Sequence, residues 1–192
     1  MNTRDDLSTI CLARFLLPSY LFFKNNKFNK NSKILVIGYG CIGYATVLCL
    51  LKFGFKNIVC FYRNNIENVR LKNIEYIDKL ENLNNFNLII DCTGEIKLIR
   101  HILINSLYFS KIILLGTPRE MGSNELLLVH RKNLVVYGAH EIFGYTNIQR
   151  QKSFNQCLKI IRNLKLNYSK IVGFTYTLDK IPLTKYVILK RS

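Results

Sequence analysis

No Cys-x-x-C pair occurs in this sequence, whose six cysteines stand at positions 11, 41, 49, 60, 92 and 157. That argues against a zinc knuckle or a disulfide frame and for a reducing compartment. Three of the six fall in expected strands or in the helix after the glycine turn, where cysteine acts as a small hydrophobe. Acidic residues are also scarce, 12 against 28 lysines and arginines, for a net charge of +16. The basic excess is not gathered into a patch. Its densest cluster, KNNKFNKNSK from Lys24 to Lys33, carries Phe28 as its one stacking aromatic, so no specific nucleic-acid partner is expected. A pI near 9.7 still implies salt-sensitive sticking to polyanions.

A basic signal-peptide start is missing too, since the chain opens Met1-Asn2-Thr3-Arg4-Asp5-Asp6. The longest early apolar run, Phe15 to Phe23, contains Pro18 and is too short to cross a bilayer. The expectation is a soluble, cytoplasmic protein with no membrane partner. What is present is globular in composition, 49% hydrophobic and 12% aromatic over 192 residues. That length suits one domain with a core, or one domain and an appendage.

The stretch KILVIGYGCIGYATVLCLLKF, Lys33 to Phe53, organises the rest. Ile34-Leu35-Val36-Ile37 is too short for a helix and reads as a strand buried on both faces. The chain then turns through Gly38-Tyr39-Gly40-Cys41-Ile42-Gly43 into a helix with Ile42, Ala45, Cys49 and Phe53 on one face. Strand, G-x-G-x-x-G and helix together form a dinucleotide-binding fingerprint. The first glycine makes the turn, the second admits a pyrophosphate to the backbone, and the third lets helix and strand pack closely. The helix start offers N–H groups and a positive dipole end to phosphate. A glycine turn without a ligand is the alternative reading.

Before this stretch, residues 3 to 16 read as a helix with Thr3 as N-cap and Asp5 and Asp6 at its positive end. A broken apolar segment, 16 to 23, and a polar linker to residue 32 follow. After it come short strands at Asn57–Tyr62, Asn73–Ile77, Asn87–Asp91, Lys111–Leu115 and Asn133–Tyr137. A helical turn is expected within 64–71, a minimal crossover at 80–85, helices at Ile96–Leu107 and Glu125–His130, and the longest amphipathic helix at Thr146–Leu164. That last helix turns Phe154, Cys157, Leu158 and Ile161 inward. Six apolar strands alternating with helices predict an α/β fold, a doubly wound, mainly parallel six-stranded sheet of Rossmann type. The domain spans 33–168, after an N-terminal helix and linker at 1–32. A tail at 169–192 carries one more strand, IVGFTYT, and a segment after Pro182.

Ligands bind such sheets at the carboxyl edge. At the end of the second strand, where an acid would hold the NAD ribose, this chain has Arg63, Asn64 and Asn65. A guanidinium there suits a 2′-phosphate, so NADP is favoured over NAD; a surface arginine is the plain alternative. The other strand ends bring Asp91-Cys92-Thr93-Gly94, Gly116-Thr117-Pro118 and Gly138-Ala139-His140. Thr93 and Thr117 carry hydroxyls suited to ribose or carboxamide, and Asp91 reads as a turn-former rather than a base. Of the histidines, His101 and His130 read as structural or solvent-facing, while His140 stays open between ligand and structural roles.

KILVIGYGCIG, NLIIDCTG, KIILLGTPRE and LVHRKNLVVYGAHE, in this order and spacing, resemble the cofactor-binding half of the medium-chain, zinc-type alcohol dehydrogenases. The resemblance covers about Lys33 to Glu141. It extends less specifically to TLDKIPLTKYVIL, where Thr184-Lys185-Tyr186 departs from the family's alanine-rich helix. GTPRE and GAHE point weakly to the branch acting on sugars, polyols or similar secondary alcohols. The resemblance implies a nicotinamide dinucleotide held by Gly38, Tyr39, Gly40, Cys41, Ile42, Gly43, Arg63, Cys92, Thr93, Gly94, Gly116 and Thr117. It also implies pairing of two copies along Leu134 to Tyr137. Family members take catalytic zinc, proton relay and substrate pocket from a GroES-like domain. This sequence has no Gly-His-Glu zinc motif and no four-cysteine lobe. No zinc is therefore expected in this chain, and a GroES-like domain on another chain is the expected catalytic partner. The helix at 3–16 and the tail are the surfaces it would cover. Two other readings stay open, a truncated binding module without chemistry and a basic scaffold touching nucleic acid.

Overall fold

A computed structural model of the chain describes residues 7–63, 70–118, 122–164, 175–176 and 188–189. Six strands form one sheet: β1 (Ile34–Ile37), β2 (Ile58–Phe61), β3 (Glu75–Ile77), β4 (Leu88–Asp91), β5 (Lys111–Leu114) and β6 (Val135–Gly138). Every neighbouring pair is parallel, in the order β3-β2-β1-β4-β5-β6. This is the doubly wound Rossmann order, with the chain reversing direction across the sheet between β1 and β4. The crossover between β3 and β4 holds only a single 3-10 turn at Leu83–Asn85, as the brevity of that link predicts. Thr175–Tyr176 (β7) and Ile188–Leu189 (β8) form a separate parallel pair. The first lies within the strand expected in the tail.

Two-residue alternation explains how such short strands sustain two cores. In β1, Ile34 and Val36 join one core while Leu35 and Ile37 join the other. Ile58 and Cys60 of β2 repeat this against Val59 and Phe61, and Leu88 and Ile90 of β4 against Ile89. The central strands β1, β2 and β4 are buried at every position, whereas edge strands β3 and β6 are not. Continuous apolar runs are what a sheet covered on both faces requires.

One face carries α1 (Leu7–Asn25), α2 (Cys41–Lys52) and α5 (Asn147–Asn163); α3 (Ile96–Asn105) and α4 (Ser123–Arg131) lie on the other. Ile99, Ile102 and Leu103 of α3 are buried and Ile96 is half-buried. On α5, Cys157, Leu158 and Ile161 point inward, and Phe154 packs half-buried against them. Thr146 caps α5 reciprocally, its hydroxyl accepting from the Gln149 N–H.

The first helix departs from expectation. It runs without a break from residue 7 to Asn25, straight through Pro18, and is therefore longer than α5. Proline costs a helix interior about 3 kcal/mol. Leu12, Ala13, Leu16, Leu17, Leu21, Phe22 and Phe23 are all buried, and each large apolar side chain returns about 1.5–3 kcal/mol on burial. Ser19 donates its hydroxyl to the Leu16 carbonyl. The helix ends where the Asn25 and Asn26 amides take the Leu21 and Phe22 carbonyls, at 2.8 and 2.9 Å. Nor is α1 an orphan awaiting a partner, because it packs along both α2 and α5. This is why α2 is buried from Gly43 to Leu50 instead of on the single stripe its spacing predicts. The linker joins in as well. Phe28 meets Phe22 and Phe23, and the Lys30 ammonium sits 4.0 Å from the Phe55 ring centroid. The cap at Thr3 with Asp5 and Asp6, residues 64–69 of the turn expected within 64–71 and most of the tail, including Thr184 to Tyr186, lie outside the described residues.

Arg14 of α1 pairs with Glu141 beyond β6. Burial alone would raise the Glu141 carboxyl. The hydrogen bond and charge of Arg14 outweigh it and hold the group below its ordinary value of 4.5. A folded value under the unfolded one stabilises above about pH 4.5, and that contribution is lost as pH falls through the folded value. The stability gap between wild type and Glu141→Gln, from urea unfolding at a series of pH values, is expected to be constant near neutrality. It should close in acid. Leu16→Ala, at a fully buried position, should cost about 2–5 kcal/mol within a single unfolding transition. A separate early transition would mean that α1 melts by itself.

Candidate dinucleotide site

The carboxyl ends of β1, β2, β4 and β5 bring most of the sequence-predicted site residues to one edge. Gly38 leaves β1 at φ +91°, a conformation that strains any residue with a side chain. Its N–H donates to the Phe61 carbonyl at 3.1 Å, tying the turn to β2. A Cβ on Gly43 would stand 1.8 Å from the Gly38 carbonyl oxygen. The start of α2 is thus pressed onto the turn at backbone distance. Gly40 differs: it is exposed, and a Cβ there would meet nothing within 4 Å. It serves as N-cap of α2 with no side-chain hydrogen bond, and no acid stands in the helix's first turn. The positive end of that dipole therefore faces open space beside an uncrowded backbone.

The variable positions of the loop are anchors. Tyr39 is buried and its hydroxyl lies 2.8 Å from that of Tyr76 on β3, which in turn accepts from the Leu71 N–H. Burial, first, and the Tyr76 contact push its phenol far up. The Tyr39 ring is thus turned inward, away from the edge. Cys41 and Ile42 are half-buried in the first turn of α2, and burial pushes the Cys41 thiol up to about 11. Neither thiol chemistry nor a charge is offered there.

The β4 turn is built around a buried carboxylate. Asp91, with no exposed surface, accepts from the Thr93 N–H, the Thr93 hydroxyl and the Gly94 N–H at 3.1, 2.6 and 3.0 Å. Burial raises its pKa, and these three donors partly offset the rise. Asp91 is thus the turn-former that its position suggests. The Thr93 hydroxyl, having donated to Asp91, also accepts from the Glu95 N–H at 3.1 Å. Its proton is committed to the turn, so a ligand meets it only as an acceptor. The Cys92 thiol turns inward to the Thr46 hydroxyl of α2 at 3.7 Å, and burial raises its pKa. Beside it the β4 and β5 turns touch through glycine: a Cβ on Gly116 would come 2.1 Å from the Gly94 nitrogen. Thr117 is exposed at this edge.

Arg63 stands exposed at the end of β2 and donates from Nη2 to Glu95 Oε2 at 2.7 Å. Sequence reasoning missed Glu95, because its partner is 32 positions away and nothing local marks the pair. His140, left open by the sequence, is exposed and uses Nδ1 to accept the Ile142 N–H at 3.1 Å, a turn role. His101 sits 3.3 Å from the Leu80 carbonyl and is structural. Among the described residues, no three His, Cys, Asp or Glu side chains gather as a metal ion would need. As placed, the donors among the described residues do not make the set that zinc requires.

No protein-family model matches the sequence, and no curated protein matches it. Solved structures do. TarJ of S. aureus in complex with NADPH is similar at 19% identity and TM-score 0.64, over 93% of this chain and 59% of that one. A short chain alcohol dehydrogenase of E. coli complexed with NADH is similar at 16% identity and TM-score 0.64, over 94% and 58%. L-idonate 5-dehydrogenase of Escherichia coli is similar at 15% identity and TM-score 0.66, over 86% and 49%. The likeness is one of fold. The chain spans about half to three-fifths of the length of these structures.

The two loop glycines should separate on substitution. Gly43→Ala forces a methyl into the Gly38 carbonyl and is expected to cost about 1–3 kcal/mol or more. Gly40→Ala, in open space, should cost at most about 1 kcal/mol for a poorer N-cap. Parallel thermal and urea melts check the pair, and equal losses would contradict the packing described.

Proposed function

We propose that this chain is the nicotinamide-nucleotide-binding part of an oxidoreductase resembling the medium-chain alcohol and polyol dehydrogenases, with NADP(H) favoured. The observation that carries the reading is the glycine loop. One glycine is locked by the turn, one is locked by contact with the helix, and the one between them stands bare before an uncapped helix start. Such a cradle suits a pyrophosphate. The backbone of residues 38–43 would hold it, the turns that Gly94 and Gly116 pack together would present their backbone beside it, and Arg63 would face the adenosine ribose. A bound nicotinamide supplies the hydride acceptor or donor. The chain's own part is to hold and orient it. Solved structures of the same fold, TarJ with NADPH and the short chain alcohol dehydrogenase with NADH, lend support as analogy.

Activation of the substrate hydroxyl is assigned elsewhere in this reading, to a GroES-like domain on a separate chain. It rests on the scattered histidines and on the absence, among the described residues, of clustered metal donors. That same observation favours a second reading, in which the chain is a non-catalytic nucleotide-binding module. A homodimer through β6 and a cytoplasmic setting remain part of the proposal.

Titration calorimetry of the purified chain with NADPH and NADH tests the reading. NADPH is expected to bind more tightly, and Arg63→Ala to weaken it roughly tenfold or more through loss of a charge-assisted contact. Gly40→Ala should weaken both nucleotides alike. Failure of both to bind would overturn the proposal, and zinc-dependent alcohol turnover by the single chain would overturn the assignment of chemistry elsewhere.

A further inference from the structure

The Arg63–Glu95 pair is not an ordinary surface contact, because of where its two ends are rooted. Arg63 follows β2 and Glu95 follows β4, and in the sheet these two strands flank β1. A side-chain contact between their carboxyl ends therefore passes over the end of β1, where the glycine loop begins. Glu95 is also held in place. Its N–H donates to Thr93, whose hydroxyl is clasped by buried Asp91, and its carbonyl accepts the Ile99 N–H in the first turn of α3. Its backbone is thus fixed by the hydrogen-bonded turn that follows β4. The side chains themselves are 58% and 37% exposed. A pair in that setting is weak and screened, so a ligand can part it.

We infer that Glu95 is a specificity-determining residue, its carboxylate competing with the 2′-phosphate of NADP(H) for the Arg63 guanidinium. This inference rests on the reading that the edge binds a nicotinamide dinucleotide. A 2′-phosphate carries more charge than a carboxylate and offers Arg63 a forked contact, so it displaces Glu95. The displaced carboxylate then stands near a second anion, which costs part of what the phosphate gains. A 2′-hydroxyl brings no charge to part the pair, and a carboxylate accepts its proton as the missing acid after β2 would. The pair thereby moderates a preference that Arg63 alone would make steep.

Titration of wild type, Glu95→Gln, Arg63→Ala and the double variant with NADPH and NADH decides this, with circular dichroism and melting checks on each fold. Glu95→Gln is expected to tighten NADPH roughly fivefold, the scale of a partly exposed ion pair, and to leave NADH unchanged or weaker. The gain should shrink in the Arg63→Ala background, as coupled residues require. Nucleotide binding with an unchanged NADPH-to-NADH ratio in Glu95→Gln overturns the role of Glu95 and leaves the cofactor reading standing. No binding of either nucleotide by any folded variant overturns both.

Discussion

The contact on which this edge of the molecule depends is between two glycines. Gly43 at the start of α2 lies against the Gly38 carbonyl, where no side chain fits. That approach sets the distance from β1 to α2, and so determines how far the helix start stands from the sheet edge. It also leaves Gly40 as the exposed apex of the turn. The crowding at one glycine and the openness at another are two results of one constraint, a helix brought to backbone distance of a strand.

The neighbouring turns solve the same problem with different chemistry. After β4 a buried carboxylate gathers three donors within the next three residues. A buried charge is tolerable when its oxygens are so occupied. Its rigidity passes to Glu95 through Thr93 and so reaches Arg63 on the far side of β1. After β6 an ion pair from Glu141 to Arg14 ties the edge to α1. The turns after β1, β4 and β6 are thereby each fastened by a different device.

Much of this was legible in residues and spacing. Short apolar runs marked all six strands within a residue or two, and the glycine spacing marked the turn that organises them. Asp91 was legible as a turn-former because an acid at a strand end with Thr and Gly two and three positions on has donors at hand. Less legible were residues whose partners are remote. Tyr39 stands in the fingerprint as though to face a ligand, yet its ring is drawn inward by Tyr76, 37 positions away. Thr93 keeps its place at the edge while its proton is taken by Asp91. Pro18 lies in a segment, 16 to 23, that reads as broken because local propensity penalises proline in a helix. The burial of Leu12, Leu16 and Leu21 against α2 and α5 outweighs that penalty.

By itself the sequence determined the parallel, doubly wound sheet and the place of the glycine turn. Both follow from local quantities, short apolar runs separated by helical ones and the freedom of glycine at positive φ. Only the tertiary structure decided the length of α1, the inward aim of Tyr39 and Cys92, and the meeting of Arg63 with Glu95. Those outcomes depend on which surfaces β2, β4 and α5 present once the sheet has closed around β1. Sequence spacing carries no measure of that distance.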